Sequence, residues 1–275
     1  MSTAQRQSFS SVILALGIAG AAASAFGAAV VQELKGDVRA GATPAQGKPV
    51  ARNQRVLSGT VVTTASGSQV VLRFDDGEVV ALHENTQFRI GEFRYRLQEP
   101  KADRAAFVLM QGALRAVSGA LGERSPEAFS LVAPQSTIGI RGTDFMVAVA
   151  TPTAYLSVLK GTITATNAAG TVAFGAGTLG SVATSTTLAI SIPESALPGA
   201  AASAFRALGA LPLTRGSPSG EIQLPGTAAS KAQDASAFGR DTAESARDLG
   251  RDFGQGMSGS ARDRVQDIPS KSSKP

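Results

Sequence analysis

The sequence predicts an all-β domain: a bulged, strongly twisted sheet that forms either an irregular β-solenoid or a folded-over sandwich, followed by a low-complexity tail. Three observations carry this prediction. Between residues 30 and 192 the chain is a series of runs rich in Val, Ile, Thr and Phe, among them "GTVVTT", "SQVVLRF", "EVVALH", "TIGI", "DFMVAV" and "GTITAT", punctuated by Gly, Pro, Asn and Asp. No helical pattern separates these runs, as the crossovers of a parallel sheet would require. The parity of the apolar positions also changes at glycines, which a regular ladder does not allow and a bulge does.

The first element is a leader. "MSTAQRQSFSS" has one Arg and no acid, "VILALGIAGAAASAF" is apolar and small, and "ASA" at Ala23 to Ala25 fits a small-x-small cleavage site. Residues 1–25 therefore read as a secretory signal peptide, with the β domain in the periplasm. The alternative is an uncleaved anchor in the inner membrane, because the apolar run from Val12 to Val31 is close to the ~20 residues a spanning helix needs. No other stretch of the 275 residues is long and apolar enough to span a membrane.

The next legible element is a hairpin in "SQVVLRFDDGEVVALH". Asp76-Gly77 is a strong signal for a two-residue turn with positive φ. That turn pairs Phe74 with Val79, Leu72 with Ala81 and Val70 with His83 on one face, and Arg73 with Val80 and Val71 with Leu82 on the other. Both faces are substantially apolar, which predicts cover on both sides.

A glycine device recurs along the domain. "KGDVRA", "QGALRA" and "KGTITA" each place Gly (Gly36, Gly112, Gly161) ahead of an apolar position two residues on, so strands are entered through a Gly bend, as the hairpin turns at Gly77. In "TIGIRGTDFMVAV", Ile138 and Ile140 are even, whereas Phe145, Val147 and Val149 are odd. One extra residue at Gly142 restores a common inward face and puts Arg141 and Asp144 together on the outward one, in position to pair. The same change occurs between Leu156 and Val158 and Ile163 and Ala165, across Gly161.

From residue 193 to 275 the chain is Ala-, Gly- and Ser-rich. "ESALPGAAASAFRALGAL" predicts a short helix interrupted at Pro198 and Gly199. Beyond it, glycines that each cost about 0.8–1 kcal/mol in a helix predict a largely disordered tail.

Several chemistries lack their residues. There is no Cys, hence no disulfide framework and no thiolate site. The net charge of +5 is spread among Arg and Lys that stand beside acids, as in "RFDDGE" and "GERSPE", so no nucleic-acid footprint is formed. His83 is the single histidine. Asp75, Asp76, Glu78 and Glu84 lie near it in sequence, but at no ligand-loop spacing, so neither a metal nor any other cofactor is expected. Neither G-x-S-x-G nor a phosphate loop occurs, and Asp75 and Asp76 would point oppositely in a strand. No residue is expected to be catalytic.

"TIGIRGTDFMV" followed by "AYLSVLKGTITATNAAGTVAFGAGTLGSV", with "LSGTVVTTASGSQVVLRFDDGEVVALHENT" upstream, resembles the FecR domain over about Val30 to Val182. Its most specific piece is Arg141-Gly142-Thr143-Asp144-Phe145. The resemblance implies a periplasmic β domain that binds another envelope protein without chemistry of its own, and makes those five residues the candidate partner-binding site. Regulators of that family place an anti-sigma domain before a membrane helix; here eleven residues precede the apolar run, so the expectation is the β domain without that partner domain. A tethered component of a surface-signalling relay is the alternative.

Overall fold

Successive residues of a strand face opposite sides, and in this chain both sides are apolar over long stretches. Such a sheet has to cover two faces. It does so here by folding over on one of them and laying a helix on the other. The computed structural model describes residues 28–218, and the expected signal peptide (1–25) and the tail from 219 to 275 lie outside the described residues.

The strands are β1 (Ala28–Lys35), β2 (Val38–Gly41), β3 (Lys48–Pro49), β4 (Arg55–Leu57), β5 (Val61–Thr64), β6 (Gln69–Phe74), β7 (Val79–Leu82), β8 (Gln87–Arg94) and β9 (Arg104–Val117). The helix α1 (Ala120–Arg124) follows, then β10 (Phe129–Ala133), β11 (Ser136–Ala150), β12 (Thr153–Asn167), β13 (Gly170–Gly175), β14 (Leu179–Val182), β15 (Ile190–Ser191) and α2 (Gly199–Gly209).

β9, β11 and β12 run for 14, 15 and 15 residues and take part in two layers each. The first layer has the order β15-β14-β12-β11-β9-β7-β6-β1-β4 and uses Ala154–Ser157, Asp144–Val149 and Gly112–Val117 of the long strands. The second has the order β13-β12-β11-β10-β9-β8-β5-β2-β3 and uses their other halves. Of the two architectures the sequence allows, this is the folded-over sandwich. The sheet does not close.

Phenylalanines join the layers. Phe107 of the second layer lies 5.1 Å from Phe74 of the first, and 5.4 Å and 5.7 Å from Phe88 and Phe129 in its own. Phe129 in turn meets Phe145 of the first layer edge-on at 6.5 Å.

Each of the three long strands crosses between layers at a glycine of positive φ: β9 at Gly112 (84°), β11 at Gly142 (60°) and β12 at Gly161 (76°). Gly36, at 77°, separates β1 from β2 in the same way. The parity changes read from the sequence at Gly142 and Gly161 are two of these crossings. Phe107 and Leu109 before Gly112, and Leu114 and Ala116 after it, all enter the one core. So do Ile138, Ile140, Phe145 and Val147 about Gly142, and Leu156, Val158, Ile163 and Ala165 about Gly161.

The β6–β7 hairpin is covered on both faces, but its register differs by one from the expected register. Val70 pairs with Leu82, Leu72 with Val80 and Arg73 with Val79. The loop has three residues, Asp75 to Gly77, closed by Phe74 N–H donating to Glu78 O at 2.8 Å and Gly77 N–H to Phe74 O at 3.0 Å. The cause is Asp76. Its buried carboxylate accepts the N–H of Glu78 at 2.8 Å and of Leu121 at 3.2 Å, so it anchors the start of α1 instead of forming an exposed turn tip. His83 is consequently not opposite Val70; its N–H donates to Ala113 O at 2.9 Å.

Pro198 and Gly199 open α2 and do not interrupt it, since a proline there needs no intrahelical donor. Ala201, Ala204, Phe205 and Leu208 bury against Val71, Val79, Ala81, Ala113, Met146 and Ala148 on the outer face of the first layer. The chain then runs along the same face through Leu211 and Leu213, and Gly216 N–H donates to Gly77 O at 2.9 Å.

Candidate functional site

The five motif residues form the corner where β11 passes between layers. Opposite β12, the pairing runs to Arg141↔Thr162, slips, and resumes at Asp144↔Lys160 and Phe145↔Val158. Both strands bulge at the same level. A Cβ on Gly161 would lie 2.1 Å from Gly142 O, so the two bends are fitted to one another. Gly36 and Gly112 bend elsewhere, against Ser68 and Thr86.

A bulge leaves backbone groups without ladder partners. Here Ser118, just beyond β9, supplies them. Thr143 N–H donates to Ser118 Oγ at 2.9 Å, and Ser118 N–H donates to Thr143 O at 2.9 Å. The Thr143 hydroxyl is buried without a hydrogen-bond partner; it is the backbone of Thr143 that holds the corner.

Asp144 does not pair with Arg141. It takes both arms of Arg115, Nε to Oδ1 at 2.8 Å and Nη2 to Oδ2 at 2.7 Å. The third nitrogen of Arg115 donates to the carbonyls of Leu208 at 3.1 Å, Gly209 at 3.3 Å and Leu211 at 2.9 Å. One buried guanidinium thus joins the motif to the C-terminal end of α2, whose last carbonyls lack intrahelical donors and favour a cation. Phe145 is fully buried in the main core.

With Asp144 committed to Arg115, Arg141 is left exposed and without an ion pair among the described residues. Lys160, aligned with Asp144 across the β11–β12 pair, is exposed as well. The motif therefore has an inward part, Asp144 and Phe145, that holds the fold. Its outward part is the exposed cation Arg141.

Near the corner, under the segment that follows α2, lie two buried acids that the sequence did not single out as such. Asp76 and Glu78 are 0% and 2% exposed. Burial raises the Asp76 carboxyl from 3.8 to about 6, against the lowering effect of its backbone donors and of Arg215, which pairs with Glu123. Burial raises Glu78 well above its ordinary 4.5, and the Asp76 charge adds to this. Glu78 Oε1 has no hydrogen-bond partner.

The sign of the pH dependence follows. Both folded-state values lie above the unfolded ones, so the folded chain holds protons that the unfolded chain releases. Stability is full below the ordinary carboxylate range and is lost as pH rises through about 6 and beyond. At about 1.4 kcal/mol per tenfold change in proton affinity, Asp76 alone carries up to about 3 kcal/mol. Thermal denaturation is expected to give a lower midpoint at pH 8 than at pH 5, and Glu78→Gln is expected to shrink that difference. A midpoint that rises across this window would contradict the assignment.

His83 lines a groove of about 260 Å³ between the β sheet and α2, together with Glu84, Gly112, Ala148, Ala201 and Ala204. Among the described residues no three His, Asp or Glu side chains come together as a metal site. No described helix is long and apolar enough to cross a membrane.

Residues 60–164 match the model of the FecR protein family, a range that contains β5 to β11, most of β12 and the whole corner. No curated protein matches. Two crystal structures of a "putative anti-sigma factor" from Parabacteroides distasonis are similar, each at 14% identity with a TM-score of 0.39, over 49% of this chain and 59% of that one. The chain thus spans less than two thirds of that protein's length.

Proposed function

We propose, on the premise that residues 60–164 are FecR-like, that this protein is a non-catalytic binding module of the bacterial envelope, exported to the periplasm and serving regulation by taking another protein at the bulged corner. The observation that carries the reading is the exposed, unpaired Arg141 on a corner whose own carboxylate is already committed to Arg115. With Lys160 beside that carboxylate's strand, the corner offers cations on a rigid frame, and the surface that fits it bears carboxylates.

Replacing Arg141 by Ala separates recognition from scaffolding. The expected result is an unchanged melting transition, within about 0.5 kcal/mol as for other surface changes. Copurification of envelope partners falls by about tenfold or more, the value of a charge-assisted hydrogen bond. Retained partners with a destabilised fold would overturn the proposal. N-terminal sequencing of the same preparation tests export: cleavage after Ala25 gives a free periplasmic protein, and retention a tethered one.

A further inference from the structure

A sheet that does not close has ends, and the ends are where further strands add. The two layers end in β15, β4, β13 and β3. Three of these ends are blunt. β15 and β3 have two residues each, β3 ending in Pro49, and β4 has three, beginning with exposed Arg55. β13 has six residues, "GTVAFG", with neither proline nor charge. Among the described residues it pairs on one side only, with Thr162–Asn167 of β12.

This free edge is held in place from within. Phe174 is buried in the main core and Val172 packs against it, while Thr171 and Ala173 are exposed. Leu188 and Ile190, 51% and 59% exposed, are the two exposed large hydrophobics of the segment that follows β14. Leu188 lies beside the start of β13, with Cδ2 3.1 Å from where a Cβ on Gly170 would stand. From Gly161 to Pro193 the chain carries no charged side chain at all.

We propose that β13 pairs with β13 of a second copy of this chain, antiparallel about a twofold axis, so that the second layer continues from one subunit into the next. Charge selects this occupant. A twofold interface sets each patch against itself, which a charged edge of a chain with net charge +5 would resist and a neutral Thr, Val, Ala and Leu edge accepts. Antiparallel pairing also satisfies the free edges of both copies equally. The inference stands apart from partner binding at Arg141.

The absence of cysteine makes the test direct. Light scattering of the intact chain is expected to give twice the mass of one subunit. Single variants Thr171→Cys and Ala173→Cys are expected to cross-link into dimers with a short bifunctional maleimide, while Arg104→Cys, exposed on β9, does not. Ala173→Asp places like charges across the axis and is expected to weaken the dimer by at least about tenfold, with an unchanged melting transition at concentrations where both proteins are monomeric. A monomer at every concentration would overturn the proposal. So would a dimer that survives Ala173→Asp and shows no cross-link from either β13 cysteine, since its interface would lie elsewhere.

Discussion

Replacing Arg115 by Ala is expected to lower the stability of the protein by about 3–5 kcal/mol, the cost of removing one partner from a buried ion pair. Arg115 is 7% exposed, and all three nitrogens of its guanidinium are engaged. Its loss strands Asp144 in a half-buried position and leaves three carbonyls at the end of α2 without their donor. Two consequences are therefore expected together in denaturant unfolding and hydrogen exchange: a lower midpoint, and faster exchange across 199–213 than in the main core. Arg115→Lys is expected to recover only part of the loss, because a single ammonium cannot make the fork to Asp144 and reach the helix carbonyls at once. Full stability in Arg115→Ala would mean that the pair contributes nothing.

The second large effect is expected at Gly161. Gly161→Ala forces a side chain into a backbone of φ 76°, at a cost of about 1–3 kcal/mol. It also drives a Cβ to 2.1 Å from Gly142 O and 2.8 Å from Arg141 O, backbone atoms that cannot turn aside, for about 1–3 kcal/mol more. Gly142→Ala is the control. Gly142 has φ 60° but nothing within 4 Å of the added Cβ, so only the conformational cost applies. Equal melting shifts in the two variants would show that the bends do not interlock as described.

What the sequence disclosed and what it withheld divide along locality. Alternation of apolar side chains is a property of neighbours, so the crossings at Gly142 and Gly161 could be read from parity, and the bend at Gly112 from the recurrent glycine. Which layer each half of β9, β11 and β12 joins could not, because the same alternation serves a solenoid and a sandwich. The β6–β7 register failed for a related reason. Asp76 followed by Gly77 signals a two-residue turn locally, but the carboxylate is claimed by Leu121, 45 positions away. The partner of Asp144 was hidden in the same manner: Arg141 is near in sequence, whereas Arg115 lies 29 positions off on a strand whose pairing only the fold decides. A hint existed in the parity itself. With Leu114 and Ala116 in the core, Arg115 had to point to the other apolar face, where a lone guanidinium needs a carboxylate. The helix after Pro198 was legible as a helix. Its docking face was not, because alanine-rich composition fixes propensity but not partner.

The division of the motif into an inward Asp144 and an outward Arg141 is measured most directly by two double-mutant cycles on unfolding free energy, Arg115 with Asp144 and Arg141 with Asp144. A coupling of about 1–3 kcal/mol is expected in the first, as for residues in one buried network, and a value near zero in the second. A strong coupling between Arg141 and Asp144, with none between Arg115 and Asp144, would contradict the account.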